Sequence, residues 1–259
     1  MKYPKLSIFL LLVLGLVAWL VFSGIEGARA RADLAPIATT PGEGAVLVLG
    51  GTRGTGLEVV RVLRARGDDV LVLARPASDA GAAEALGARI FRGDAMVPAD
   101  LNAALAAGGI RAIISSLGGK NAQGQRVDFI GNRDAVDAAR LAGVRRFILV
   151  SAVGAGNSGE ASPALSRRFL REVIAEKSKA EDYLRTSGLD YTIIRPGGLL
   201  DKPAEGRAYL TEDVHAMSWI RRADLARLIV QALDDPRAIG KVYHAFDPDR
   251  TRFWSMFLN

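Results

Sequence analysis

A loop of glycines around one arginine follows the first apolar run of the chain, in the sequence GGTRGTG at residues 50–56. Gly50, Gly54 and Gly56 have the spacing G-x-x-x-G-x-G. Glycines between a strand and a helix let backbone N–H groups and the helix N-terminus approach a pyrophosphate where a Cβ would collide. The pattern therefore predicts a dinucleotide site. The alternative is a tight strand-to-helix turn with no ligand.

Two arginines predict which dinucleotide binds. An acidic residue near the end of the second strand would bind the ribose 2′-hydroxyl of NAD. Here the second apolar run ends instead in Leu73, Ala74 and Arg75. The guanidinium groups of Arg53, in the glycine loop, and Arg75 can converge on one 2′-phosphate, so we expect NADP(H) to be preferred over NAD(H). The alternative is that both are solvated surface arginines.

The elements that would position these residues alternate along the chain. Apolar runs rich in β-branched residues predict strands at residues 45–50, 69–74, 88–93, 110–116, 145–152, 190–196 and 241–246. Segments with helical spacing lie between them, as at Leu225–Leu233. Strands that are apolar on both faces and alternate with helices indicate a parallel sheet covered on both sides. We therefore predict the α/β class, with a Rossmann-like doubly wound parallel sheet in a single domain over residues 45–259, preceded by a transmembrane helix.

That helix is predicted from a charge-free apolar run at residues 6–25. A helix of this length spans roughly 30 Å, the thickness of a bilayer core. We predict a membrane anchor over residues 1–25, with a removable signal segment as the alternative. Residues 26–44 then form a linker rich in Gly, Ala, Pro and Thr. The localisation expected is a single-pass membrane protein. Cofactor supply favours a cytoplasmic domain and the charge count favours the opposite side.

Composition excludes several kinds of site. The chain has no cysteine, which excludes disulfides, thiolate metal sites and a cysteine nucleophile. Its two histidines, His215 and His244, are far apart in sequence and lack a ligand at i, i+4, so we expect no metal site. The net charge is +6, yet no long basic run or basic patch interleaved with aromatic residues occurs. We therefore expect a small-molecule substrate and no nucleic acid.

Further motifs follow the glycine loop, namely GDAMVPADL at residues 93–101, SSLGG at 115–119, GNRDAVDAARLAGVRRFILVSAVGAG and SGLDYTIIRPGGLLD. With them the chain resembles, over residues 45–246, the short-chain dehydrogenase/reductase superfamily. The resemblance is to its atypical single-domain branch, the group with biliverdin-IXβ reductase and NmrA-like regulators. It implies Asp94 at the adenine and Pro196 at the nicotinamide end. Together with Arg53 and Arg75 from the argument above, the full predicted cofactor-binding set is Gly50, Thr52, Arg53, Gly54, Thr55, Gly56, Arg75, Asp94, Ser116, Leu117, Gly118, Lys177, Pro196 and Gly197.

The resemblance also implies a catalytic centre, from which this chain departs. The superfamily's proton donor is a Tyr four residues before a Lys, whose charge lowers the pKa of the phenol. In REVIAEKSKAE that Lys is Lys177, and the Tyr position holds Val173, which cannot donate a proton. Ser151 stands where the superfamily's catalytic Ser lies. Ser151 and Lys177 are therefore the candidate catalytic residues. The alternatives are a serine bonded to local backbone and an exposed helical lysine.

Three functions are consistent with these residues. We predict a membrane-tethered NADPH-binding oxidoreductase. Without the Tyr, the proton would come from water or from the substrate's own chemistry, which suits a conjugated acceptor such as a quinone, flavin or tetrapyrrole. The second function is a non-catalytic NADP-binding sensor or scaffold subunit of a membrane complex. The third is a nucleotide-sugar epimerase or dehydratase, which the missing Tyr disfavours.

Overall fold

Ten strands occur in the part of the chain that the computed structural model describes, residues 30–121 and 123–251. They are β1 (Ala45–Leu49), β2 (Val70–Ala74), β3 (Arg89–Arg92), β4 (Ile110–Ser115), β5 (Arg146–Val150), β6 (Asp190–Pro196), β7 (Gly198–Leu200), β8 (Tyr209–Thr211), β9 (Trp219–Arg221) and β10 (Lys241–Phe246). The predicted runs correspond to β1 to β6 and to β10. The strands β7 to β9 have three residues each, which is too short for a recognisable sequence pattern.

Helices connect most of these strands. They are α1 (Gly54–Arg66), α2 (Gly81–Ala85), α3 (Pro98–Ala106), α4 (Val127–Leu141), α5 (Ala164–Phe169), α6 (Arg171–Arg185) and α7 (Arg222–Asp234). The helix α1 begins within the glycine loop and ends at Arg66, and the next residue, Gly67, caps it with a left-handed backbone. Proline at the first position of α3 has no N–H group to leave unsatisfied there.

The sheet has the doubly wound topology that the sequence predicts. Eight strands are arranged in the order β3-β2-β1-β4-β5-β6-β10-β8, and all neighbours are parallel except β10 and β8. The chain moves outward from β1 to β3 and then returns to the other side of β1 at β4. Ligands of such sheets bind at this reversal, outside the carboxyl ends of the strands. The strands β7 and β9 form a separate parallel pair.

Both faces of the sheet are covered, as the continuous apolar strands predict. Every residue of β1 is buried. Val46 and Val48 pack into a cluster that includes α1 and α7, whereas Leu47 and Leu49 pack into one that includes α3, α4 and α6. Successive residues of a strand point to opposite faces, so a central strand between two helical layers must be apolar throughout.

Residues 30–44, predicted as part of a linker, run along the domain. The N–H group of Ala32 donates to the carbonyl oxygen of Leu210 at 2.7 Å, and that of Ala35 donates to Oδ2 of Asp235 at 2.6 Å. Ala32, Leu34 and Ile37 pack against the core. This stretch is therefore held by hydrogen bonds and apolar contacts to the α7 side of the sheet.

The transmembrane part of the predicted fold needs correction. Among residues 30–121 and 123–251, no helix is both long enough and apolar enough to cross a membrane. The apolar run at residues 6–25, on which the anchor prediction rests, lies outside the described residues. The predictions of a transmembrane helix and of a single-pass membrane localisation are therefore not supported. The supported fold is the Rossmann-like α/β domain.

Candidate functional site

A cleft of about 620 Å³ opens at the carboxyl ends of the parallel strands, at the reversal between β1 and β4. Its size is within the usual range for small-molecule and cofactor sites. The loops after β1 to β6 and the starts of α1 and α7 form its walls. The predicted site residues that line it are Gly50, Thr52, Arg53, Gly54, Thr55, Arg75, Asp94, Ser116, Leu117, Gly118, Ser151, Lys177, Pro196 and Gly197.

The glycines of the first loop have different local roles. Gly50 has a φ of 77°, and an added Cβ would lie 2.8 Å from the carbonyl oxygen of Ser116 in the loop after β4. Gly54 has a φ of 54°, and the atom nearest to an added Cβ is Nη1 of Arg222 at 3.7 Å. Gly56 does not line the cleft, because an added Cβ would overlap the carbonyl oxygen of Gly50. Gly56 allows close packing of α1 on the loop, and its role as a cofactor contact stays a prediction.

Positive charge without a counter-charge lies at one end of the cleft, where β1 and β2 end. Arg53 and Arg75 are exposed there, and neither guanidinium group makes a hydrogen bond or ion pair with a described residue. Arg53 immediately precedes α1, whose first turn contains no acidic residue. The N-terminus of a helix is itself the positive end of a dipole. This end of the cleft therefore has the charge and the donors that an anion requires.

Asp94 and the loop after β4 form another wall. Oδ1 of Asp94 accepts a hydrogen bond from the N–H group of Met96 at 3.0 Å, and its own N–H group donates to Asp100 at 2.8 Å. The N–H group of Ser116 donates to the carbonyl oxygen of Leu49 at 2.9 Å, which fixes the loop to the end of β1. The residues predicted around the adenine and ribose thus share one cleft with the glycine loop.

Ser151 lies at the other end of the cleft, directly after β5. Its N–H group donates to the carbonyl oxygen of Ile194 at 2.8 Å, so the backbone continues the pairing with β6. The residue is 4% exposed, and its Oγ has no hydrogen-bond partner among the described residues. A buried hydroxyl group without a partner costs roughly 1 to 3 kcal/mol. The hydroxyl group of Ser151 therefore has its donor and acceptor capacity available at the cleft.

Lys177 reaches the same region from α6. Its Nζ donates to the carbonyl oxygens of Val150 at 3.2 Å and Leu117 at 3.5 Å, and lies 3.6 Å from Oδ1 of Asp128. Asp128 is buried in the first turn of α4. An added Cβ on Gly118 would lie 3.1 Å from that same carboxylate oxygen, so a side chain there would crowd the ion pair.

Two opposing effects act on the Lys177 ammonium group. Burial lowers the pKa of Lys177, and the negative charge of Asp128 opposes that decrease. A lysine with a lowered pKa releases a proton more readily at neutral pH than an exposed lysine does. The ammonium group is therefore fixed in position, with a pKa below that of an exposed lysine.

Val173, at the Tyr position, and the loop after β6 lie near the Ser151 end of the cleft. Val173 lies one helical turn before Lys177 on α6 and is half-buried outside the cleft lining. The N–H group of Val153 donates to the carbonyl oxygen of Pro196 at 2.9 Å. A Cβ on Gly197 would overlap the carbonyl oxygen of Ser218. The loop after β6 is thus a fixed wall of the cleft.

Sequence reasoning missed Asp128, Arg222 and Ser78. Asp128 is one of several acidic residues in first turns of helices, and only the structure shows its contact with Lys177. Arg222 lines the cleft, whereas its neighbour Arg221 is buried and donates to the carbonyl oxygen of Pro203 at 2.7 Å. Two adjacent arginines carry no sequence signal that separates these roles. Ser78 lines the cleft in the loop after β2, which also holds Arg75.

Comparison with known families agrees with this geometry. A family model described as NAD(P)H-binding matches residues 50–236. The match begins in the glycine loop and ends just after α7, so it contains every residue described above as lining the cleft. It therefore covers most of the described domain.

Several individual proteins are similar to this chain. The structure of the anaerobillin reductase ChuY from Escherichia coli O157:H7 superimposes with a TM-score of 0.72 at 33% identity, over 79% of this chain and 98% of that one. The NAD(P)H azoreductase of Xenophilus azovorans is 29% identical over 214 residues, which are 78% of this chain and 68% of the relative. YhfK of Bacillus subtilis (strain 168), described as an uncharacterized sugar epimerase, is 35% identical over 150 residues, 56% of this chain and 67% of the relative.

Proposed function

Because the chain belongs to the NAD(P)H-binding family, in the atypical branch of the short-chain dehydrogenase/reductase superfamily, we propose that it is an NADPH-dependent reductase of a conjugated acceptor. The family match and the similar reductases support the coarser description, an NAD(P)H-dependent oxidoreductase. The preference for NADPH, the acceptor class and the roles of individual residues are the proposal.

The unpartnered hydroxyl group of Ser151 carries the catalytic part of the proposal. It is buried at the carboxyl end of β5, and it lines the cleft together with Lys177. A reductase would use it to donate a hydrogen bond to an oxygen or nitrogen atom of the acceptor, where negative charge develops.

The residues at the end of the cleft formed by β1 and β2 are suited to bind NADP. A dinucleotide pyrophosphate would lie at the start of α1, against the open backbone of Gly54. Arg53 and Arg75 would hold the 2′-phosphate, because both are exposed on the cleft and free of counter-charges. Ser78 would add a hydroxyl donor to the same group. No acidic residue at the end of β2 offers the bidentate contact that a ribose 2′-hydroxyl prefers.

We infer that Lys177 donates the proton that the reduced acceptor needs. When bound, the nicotinamide supplies a hydride to one end of a conjugated double bond. The other end then needs a proton, and the Lys177 ammonium group is an acid of lowered pKa on the same cleft. Lys177 loses that proton to the reduced acceptor and regains one from water. Asp128 positions the ammonium group and keeps it protonated before transfer.

A conjugated acceptor fits the missing Tyr. A simple ketone places full negative charge on one oxygen atom during hydride transfer, which makes a strong proton donor necessary at once. A quinone, flavin, tetrapyrrole or azo compound spreads that charge over several atoms, so protonation can follow from a weaker acid. The names of the two similar reductases, an anaerobillin reductase and an azoreductase, are consistent with this class.

A non-catalytic NADP-binding sensor is the second candidate, and Val173 is the observation that favours it. The residue removes the superfamily's phenol, and no hydroxyl group replaces it on that turn of the described helix α6. Such a protein would bind NADPH and gain thermal stability by mass action without turnover.

Turnover with a panel of acceptors distinguishes the two functions. The full chain is incubated without oxygen with NADPH and, separately, a quinone, a free flavin, a linear tetrapyrrole and an azo dye. We expect NADPH oxidation above the uncatalysed rate with at least one class. Ser151→Ala should lower kcat about tenfold, the value of one hydrogen bond of about 1.4 kcal/mol, with NADPH affinity unchanged.

Ser166→Ala, on α5 outside the cleft lining, is the matched control and should retain full turnover. Tight NADPH binding without turnover for any acceptor would contradict the reductase and favour the sensor. Equal rates for Ser151→Ala and the unmodified chain would remove Ser151 from the mechanism.

A further inference from the structure

A third arginine stands over the glycine loop. Arg222 is the first residue of α7 and lines the cleft. Its Nε donates to Oδ1 of Asp201 at 2.7 Å, and its Nη1 donates to Oγ1 of Thr55 at 3.2 Å. The same Nη1 is the atom nearest to an added Cβ on Gly54. The guanidinium group is therefore held directly at the N-terminus of α1.

This position is electrostatically unfavourable without an anion. The N-terminus of α1 is the positive end of a helix dipole, and its first turn contains no acidic residue. The counter-ion of Arg222 is Asp201, whose side chain is 81% exposed and approaches from the loop after β7. A contact so exposed to water compensates little charge. The Nη2 atom of Arg222 makes no hydrogen bond to a described residue, so donors remain for a ligand on the cleft side.

We propose that Arg222 is a cofactor-binding residue that holds the pyrophosphate of the dinucleotide against the N-terminus of α1. Asp201 orients the guanidinium group through Nε and leaves its other edge for phosphate oxygens. The inference rests on the proposed function, because it assigns a residue to the same cofactor site. The three arginines then contact different phosphates of the dinucleotide. Arg53 and Arg75 recognise a phosphate that only NADP has, whereas Arg222 binds a group that NADP and NAD share.

Because they contact different phosphates, substitution of each arginine should change the affinities for NADPH and NADH in a different way. The full chain is titrated by calorimetry with NADPH and with NADH. Arg222→Ala should weaken both nucleotides by the same factor, about 10- to 100-fold, the range for charge-assisted hydrogen bonds. Arg222→Lys keeps the positive charge but loses the planar guanidinium fork, so its affinity for each nucleotide should lie between that of the unmodified chain and that of Arg222→Ala. Asp201→Asn should weaken both nucleotides by the same factor but less than Arg222→Ala does, because the guanidinium group keeps its charge and loses only the carboxylate that orients it.

Arg227→Ala is the matched control, because Arg227 is exposed five residues further along α7 and lies outside the cleft lining. It should bind both nucleotides as the unmodified chain does. Thermal melting without nucleotide checks that each variant folds. If Arg222→Ala does not fold, Arg222→Lys decides the matter, because it retains the positive charge beside Asp201.

Two results would overturn the inference. Unchanged affinity of Arg222→Ala and Arg222→Lys for both nucleotides would remove Arg222 from the site. A loss confined to NADPH would place it at the 2′-phosphate instead. In either case the proposed function stands, because the unmodified chain still binds NADPH. Failure of the unmodified chain to bind either nucleotide would contradict the proposed function itself.

Discussion

The two ends of the cleft carry positive charge in opposite ways. At the end of β1 and β2, Arg53 and Arg75 are exposed and have no counter-charge among the described residues. At the end of β5, Lys177 is paired with the buried carboxylate of Asp128 and donates to two backbone carbonyl oxygens. The arginines of the first end thus have no carboxylate partner among the described residues, whereas at the second end the carboxylate of Asp128 pairs with both Lys177 and Arg126, whose Nη2 lies 2.9 Å from its Oδ2.

The difference separates binding from chemistry. Free guanidinium groups lose water and gain partners only when an anion arrives, so they add to affinity for that anion. An anion that approached Lys177 would meet the negative charge of Asp128, 3.6 Å from the ammonium nitrogen, so this lysine attracts an anion less than an unpaired guanidinium group does. Its fixed position and lowered pKa suit proton transfer instead. Variants at the two ends should therefore change different measured quantities.

The largest expected effect is at the free arginines. The double substitution Arg53→Ala/Arg75→Ala should weaken NADPH by about 10²-fold or more, since each charge-assisted contact contributes roughly 1.5 to 3 kcal/mol. NADH should change little, because it lacks the 2′-phosphate. Calorimetric titration measures both affinities.

The matched control is Arg168→Ala/Arg227→Ala, which removes the same charge from exposed positions outside the cleft lining. It should not discriminate between the nucleotides. Equal losses of NADPH and NADH in the Arg53/Arg75 variant would erase the proposed contrast between the two ends.

The next effect is at Lys177. Lys177→Met should lower kcat by about 10²-fold, the lower part of the range for a positioned acid, and weaken NADPH much less than the double arginine variant does. Steady-state kinetics with the best acceptor of the panel gives kcat. Lys179→Met is the control, because Lys179 is exposed on the same helix and pairs with Glu176. If Lys177→Met lost NADPH affinity but kept kcat, the lysine would bind cofactor and would not supply the proton.

The smallest effect is a displacement of the pH profile. Proton donation requires the charged form of Lys177, so kcat should fall as pH rises through its pKa. Burial lowers that pKa and Asp128 opposes the decrease, so Asp128→Asn should lower the pKa further. The alkaline limb of the kcat profile should therefore move to lower pH.

Asp137→Asn is the control for Asp128→Asn, because it removes a different carboxylate from the same helix, α4. Asp137 accepts a hydrogen bond from Tyr183 at 2.7 Å and lies outside the cleft lining. Its substitution should leave the alkaline limb in place. A limb that moved to higher pH in Asp128→Asn, or did not move, would separate Asp128 from the titration of Lys177.

Most of the fold could be predicted from the sequence because its strands are central and buried on both faces. Such strands appear as uninterrupted apolar runs, as in β1 and β2. The short strands β7 to β9 could not be predicted, since their pairing depends on contacts distant in sequence. The transmembrane helix was an expectation from residues 6–25, and no described helix supports it.

The candidate site was predictable where one motif contains its residues. The glycine loop placed Gly50, Arg53 and Gly54 on the cleft. Contacts between elements had no such signal. Gly56 has the right spacing for a ligand contact, yet backbone packing explains it. Asp128 and Arg222 act through residues some 50 and 170 positions away, a separation that no local pattern encodes.

If Arg53 and Arg75 hold the 2′-phosphate of NADP as proposed, the chain must discriminate between NADPH and NADH. The most direct test is a calorimetric titration of the full, unmodified chain with NADPH and with NADH under identical conditions. We expect NADPH to bind at least about 10²-fold more tightly than NADH, the affinity that two unpaired arginines would add. Equal affinity for the two nucleotides would contradict the assignment of Arg53 and Arg75, and binding of neither would show that the cleft is not a dinucleotide site.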